Sequence, residues 1–197
     1  MRSCAFVHRS GRRRTRAARK DFSGALADFQ AALTFPQNLE AARSYRGGRA
    51  PEILYWVGTA FDALGQQQQA REAWKQSAAQ LAGSEEHPRP TADSGAAILY
   101  YQARSLEKLG EAARATAIFQ QLLDAATAAL KRGEAVDYFA KFGERQSRRA
   151  RQSQAHYIAG LGYLGLNQPE NARQAFARAV ELNPYQLAAR AALASLK

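Results

Sequence analysis

Residues 156–184 read HYIAGLGYLGLNQPENARQAFARAVELNP, and this stretch decides the fold. Gly160 is followed three residues on by Tyr163, and after the triplet Leu166-Asn167-Gln168 come Ala172, Phe176, Ala179 and Pro184. Asn is one of the few residues that accepts the left-handed conformation closing a helix, so the triplet predicts a turn between two helices. Small residues let two helices cross closely, and the aromatic fills the space beside the crossing. One helical hairpin is therefore written into about thirty residues.

The same grammar recurs upstream. The pair Ala-x-x-x-aromatic occurs at Ala25/Phe29, Ala70/Trp74, Ala115/Phe119 and Ala172/Phe176, spaced by 45, 45 and 57 residues. Twelve residues before the last three Ala positions stand Gly58, Ala103 and Gly160, each followed three residues later by Phe61, Leu106 or Tyr163. The turns read Leu64-Gly65-Gln66, Leu109-Gly110-Glu111 and Leu166-Asn167-Gln168. After Gly110, Ala115, Ile118, Phe119, Leu122, Leu123, Ala126, Ala129 and Leu130 keep the i, i+3, i+4, i+7 spacing of one helix face.

Composition agrees. The 197 residues include 43 Ala and 19 Leu but only 4 Val and 4 Ile, which favours helix and argues against a substantial sheet. The apolar runs fall well short of the roughly 20 residues a membrane helix needs, so no membrane association is expected. A single Cys excludes an internal disulfide framework and gives no reason to place the chain outside the cytosol, so a cytoplasmic location is expected. The expected fold class is an all-α helical-hairpin solenoid with a closing helix that starts at Asn183-Pro184 and runs through Leu196.

The pattern resembles the tetratricopeptide repeat, whose motif spaces a small residue, Tyr, Ala, Phe, Ala and Pro over 34 residues. The resemblance covers residues 21–197 and implies a right-handed superhelix. Relative to that period the copies carry insertions of 11, 11 and 23 residues, at Thr34–Ala50, Gly83–Asp93 and Lys131–Arg148. Pro36, Gly47-Gly48, Pro88 and Pro90 mark the first two as loops. All three are expected along one edge of the stack, the third folding back as a short helix around Tyr138-Phe139 and Phe142. The phrases FPQNL, EILYWVGTAFDALG, DYFAKF and HYIAGLGYLGL, in this order, resemble the C-terminal repeat region of a bacterial family. There a domain of unknown function, similar to the β-sandwich of sugar mutarotases, precedes the repeats. Nothing in this chain corresponds to that domain.

The net charge of +11 is unevenly placed. Residues 1–20 hold eight basic residues and no acid, while the other 177 carry 20 basic and 17 acidic residues. Cys4-Ala5-Phe6-Val7 is too short for a secretory signal, and Arg12-Arg13-Arg14 spoils the amphipathic face of a transit peptide. Projecting the repeat backward puts Arg9, Arg13 and Arg16 in core-facing slots, where unpaired charges cost several kcal/mol each. Residues 1–20 are therefore read as a disordered or mis-started segment, and residues 21–197 as the repeat domain. A second basic cluster lies at Lys141, Arg145, Arg148, Arg149 and Arg151.

Chemistry is sparse. No nucleophile–base arrangement or Gly-rich phosphate loop occurs, and His87 and His156 lack companions at metal-ligand spacing. No enzyme activity, metal or cofactor is expected. His156 takes the slot held by Leu54 and Leu99, which predicts packing between helices. The first helix of each unit lines the inner face of such arrays, and its remaining stripe supplies candidate partner-binding residues. These are Tyr55, Thr59 and Asp62, then Tyr100, Arg104 and Glu107, then Tyr157. The three tyrosines either pack between units or form a ladder offering rings and hydroxyls to a peptide. The expected function is a non-catalytic protein-interaction scaffold with a protein or peptide partner. Nucleic-acid binding through residues 1–20 and 141–151 is a disfavoured alternative. A third reading, implied only by the family resemblance, is an accessory module of a carbohydrate-active protein.

Overall fold

A computed structural model describes residues 21–33, 50–79, 92–133 and 142–196. The described residues form helices α1 (Phe22–Leu33), α2 (Ala50–Ala63), α3 (Gln67–Ala79), α4 (Ala92–Lys108), α5 (Ala112–Gly133), α6 (Phe142–Gly165), α7 (Pro169–Leu182) and α8 (Leu187–Ser195). They pair as α2/α3, α4/α5 and α6/α7, with α1 a half unit on α2 and α8 closing on α7. First helices also touch one another, α2 with α4 and α4 with α6, so the hairpins stack in one direction. The fold is a helical-hairpin solenoid of tetratricopeptide type.

All three hairpin turns follow one local rule. Gly65, Gly110 and Asn167 adopt φ of 76°, 87° and 57°. Each donates its N–H three residues back, to Asp62, Glu107 and Leu164, at 3.0, 3.0 and 3.2 Å. The following residue reaches five back, as Gln66 to Phe61, Glu111 to Leu106 and Gln168 to Tyr163, each at 2.9 Å. These paired bonds satisfy carbonyls that a helix end leaves open, in the Schellman arrangement.

Within each hairpin the aromatic lies over the small residue. A Cβ on Gly58 would overlap the Trp74 indole, and one on Gly160 would overlap the Phe176 ring. In the middle unit Ala103 and Phe119 share one core cluster with Leu106 and Ala115. Close approach also occurs between units, where Gly162 faces Leu123 and Gly165 faces Phe119. The predicted face of α5 is buried or half-buried throughout.

Two expectations are tested on the described residues. At the third insertion, expected at Lys131–Arg148, both described ends are helical, because α5 continues to Gly133 and α6 begins at Phe142, and the fold-back expected around Tyr138-Phe139 lies outside the described residues. The closing helix does not start at Asn183-Pro184. Asn183 ends α7 with an extended backbone (φ −143°, ψ 93°), and α8 begins at Leu187. The Asn183 side chain accepts from Tyr185 N at 3.1 Å and its carbonyl from Gln186 N at 3.1 Å, so it caps a turn rather than a helix. Residues 1–20, Tyr138-Phe139 and most of the first two insertions lie outside the described residues.

Candidate functional site

The row of first helices brings most of the candidate residues together. Tyr55 lies on α2, four residues before Thr59, whose hydroxyl donates back to the Tyr55 carbonyl at 2.9 Å. The same carbonyl accepts from Trp74 Nε1 at 3.3 Å, which ties α2 to its hairpin partner. Asp62 sits in the last turn of α2, where the helix dipole disfavours a carboxylate. Gln67 Nε2 donates to it at 2.8 Å, and Lys108 Nζ of the next unit stands 4.0 Å away. Lys108 also lies 5.5 Å above the Trp74 ring, in cation–π range.

Arg104 and Glu107 form the matching pair on α4, at 3.1 Å with each side chain about one-third exposed. Burial disfavours the Arg104 charge, but Tyr100, Tyr55 and Glu107 outweigh that, and the guanidinium is held above its ordinary value. Two carboxylates and two cations from adjacent units thus meet at the α2–α4 seam over an aromatic floor, Lys108 above Trp74 and Arg104 near the buried Tyr100 and Tyr55.

The tyrosines themselves are buried. Tyr55, Tyr100 and Tyr157 retain 7%, 9% and 8% exposure. Tyr100 packs on Phe119 and Tyr157 on Phe176, each with centroids 5.9 Å apart. Of the two readings of these positions, burial is what packing requires, and little ring surface is left for a ligand. Tyr157 lies one unit beyond the Tyr55–Arg104 cluster.

Several contributors escape the stripe pattern. Tyr55-Trp56 and Tyr100-Tyr101 are aromatic doublets exactly one 45-residue step apart. Phe29, Trp56, Tyr55, Tyr101, Tyr100 and Phe119 form a chain of ring contacts with centroids 5.2–6.4 Å apart. Ser105 donates to Ser77 at 2.8 Å, and Ser77 to the Pro51 carbonyl at 2.9 Å, giving buried hydroxyls a polar link across the unit boundary. The doublet spacing was available in the sequence as a signal. The serine link was not, because its members belong to different units.

His156 is half-buried in the hairpin slot. Burial first, and the Arg178 guanidinium second, push its imidazole below the ordinary value. Among the described residues no group of three His, Cys, Asp or Glu side chains is placed to hold a metal ion, and no helix is long and apolar enough to cross a membrane.

Sequence models of the tetratricopeptide repeat match residues 52–80, 97–126 and 153–186, the three complete hairpins. No curated protein matches the chain. Among solved structures, the chain is similar to MamA 41-end from Desulfovibrio magneticus RS-1 and to the MamA RS-1 ArsTM double mutant. Each is 20% identical, with 96% of this chain and 82% of the other covered, at a TM-score of 0.31. A likeness that loose carries no argument about the site.

Proposed function

We propose that this protein is a non-catalytic, cytoplasmic scaffold that holds a protein or peptide segment along the row formed by α2, α4 and α6. One observation carries the reading. Asp62 and Glu107 occupy last-turn positions where a helix disfavours carboxylates, and each is matched by a cation, Lys108 or Arg104. Partly exposed charges kept against local preference are what polar recognition of a chain segment uses, more for orientation and specificity than for raw affinity. The aromatic floor keeps the helices rigid, so little ordering is needed on binding. The binding residues of this reading are Thr59, Asp62, Arg104 and Glu107, with Tyr55, Tyr100 and Tyr157 as the packed support beneath them.

Photo-crosslinking tests it. A photoreactive residue placed at Thr59 should give a discrete partner adduct, and the same group at exposed Gln120 on α5 should not. Adducts from position 120 alone would overturn the reading.

A further inference from the structure

The two seams between complete hairpins are built differently, and the difference starts in the sequence. In α6, Gly162 and Gly165 let the backbone settle onto α5, where added Cβ atoms would overlap Leu123 and the Phe119 ring. At the positions 57 residues earlier, α4 holds Ser105 and Lys108 instead. At the positions 45 residues before Phe119 and Leu123, α3 holds Trp74 and Ala78. The side chains that the glycines omit are therefore present at the first seam. Ser105 donates to Ser77 at 2.8 Å, and Lys108 stands 5.5 Å above the Trp74 ring and 4.0 Å from Asp62.

Packing follows from these residues. Buried apolar side chains of α4–α8 form one cluster running from Ala96 through Phe119 and Phe176 to Ala189, with a satellite at Ala126, Ala159 and Ala175. Those of α1–α3 form two separate clusters, one around Phe29 and Val57 and one around Tyr55 and Trp74. Among the described residues, no buried apolar side chain of α1–α3 shares a cluster with one of α4–α8. The partly buried Ala78, Tyr101 and Leu109 reach across. Beside this seam a cleft of about 360 Å³ lies between α3 and the α4–α5 turn, with Ala78, Leu106 and Leu109 in its lining.

In a linear array each unit is held by its own packing and by its neighbours, so the weakest interface decides where the array parts. Dry apolar packing supplies most of that hold. A hydroxyl link nets little because it replaces bonds to water, and a part-exposed ion pair nets little as well. Atoms facing an open cleft lose dispersion contacts. We propose that α1–α3 open from α4–α8 as one cooperative unit at the α3–α4 seam, at a lower denaturant concentration than unfolds the rest. Thr59 and Asp62 lie on one side of this seam and Arg104 and Glu107 on the other, so opening separates the two halves of the inner row. The use of the row rests on the scaffold reading; the opening itself does not.

Both tryptophans, Trp56 and Trp74, belong to α1–α3. Their fluorescence reports that unit, whereas far-ultraviolet circular dichroism reports every helix. In urea titrations of the full chain, the fluorescence midpoint should precede the final dichroism midpoint by about 0.5 M or more. Ser105→Ala should move the fluorescence midpoint to lower urea and leave the later transition in place, because its bond crosses the first seam. Phe119→Leu, in the buried cluster of α4–α8, should lower the later transition and leave the fluorescence midpoint in place. Coincident midpoints in the parent would overturn the proposal, as would a fluorescence transition that follows the main loss of dichroism. Equal shifts of both midpoints in both variants would overturn it too. Separate midpoints without a crosslink from position 59 would remove the inner-row reading alone, and a crosslink with coincident midpoints would remove the opening alone.

Discussion

Tyr55 of one hairpin packs against Tyr101 of the next with ring centroids 5.5 Å apart, and this contact joins the packed interior of the array across the seam that also carries its charged inner face. Tyr55 is buried at 7% exposure, whereas Arg104 is one-third exposed and paired with Glu107.

Truncating that tyrosine should cost stability. Tyr55→Ala is expected to lose about 3–5 kcal/mol, the range for aromatic-to-Ala changes in cores. Tyr55→Phe removes only the hydroxyl and should cost about 1 kcal/mol. Chemical denaturation of the two variants measures the difference. Equal, small losses would mean that the ring is not part of the core.

The glycine slots make a sharper demand. Gly160→Leu should cost at least about 1–3 kcal/mol, because Phe176 already fills the space a side chain would enter. Gly65 and Gly110 face open space but hold positive φ, so alanine there should cost about 1 kcal/mol from backbone strain alone. Thermal melts of Gly160→Leu and Gly65→Ala should rank in that order; the reverse order would contradict the packing described.

How much of this was legible in the sequence depends on whether the cause was local. The left-handed turns at Gly65, Gly110 and Asn167 are set by one residue each and could be read directly. The Ala-aromatic pairs also repeat within a single hairpin. The long α5 could be followed in its periodic face as far as Leu130, but the early start of α6 at Phe142 could not be read, because a longer repeat adds the same number of residues whether they form a loop or more helix. Asn183-Pro184 misled for another reason: an Asn that caps a helix and one that caps a turn use the same side-chain oxygen. Burial of Tyr55, Tyr100 and Tyr157 depends on helices far away in the chain, which periodicity within one helix does not see.

Acid should destabilise the fold through His156. Its folded-state value lies below the ordinary 6.5, so the unfolded chain binds the proton more tightly. The contribution is present above about pH 6.5 and is lost as pH falls from there toward the depressed folded value. His156→Leu, which restores the residue type at Leu54 and Leu99, should flatten this part of the profile. A melting-temperature profile between pH 7 and pH 5 that is identical in parent and variant would contradict the assignment.

The buried serine link should couple two units. Ser105→Ala leaves the Ser77 bond to Pro51 intact and should cost about 1 kcal/mol. Ser77→Ala removes both bonds and should cost more. In a double-mutant cycle the two losses should add to more than the loss in the double variant, by about 0.5 kcal/mol or more. Strict additivity would show that the two hydroxyls do not interact.

The inner row is tested most directly by quantitative affinity capture with the full chain and its Asp62→Asn/Glu107→Gln variant. Both carboxylates are about one-third exposed, so the variant should melt within about 2 °C of the parent. The protein species retained by the parent and crosslinked from position 59 should fall about tenfold or more in the variant, equivalent to at least about 1.4 kcal/mol. Retention of the same species in the same amount, by a variant that melts like the parent, would contradict it.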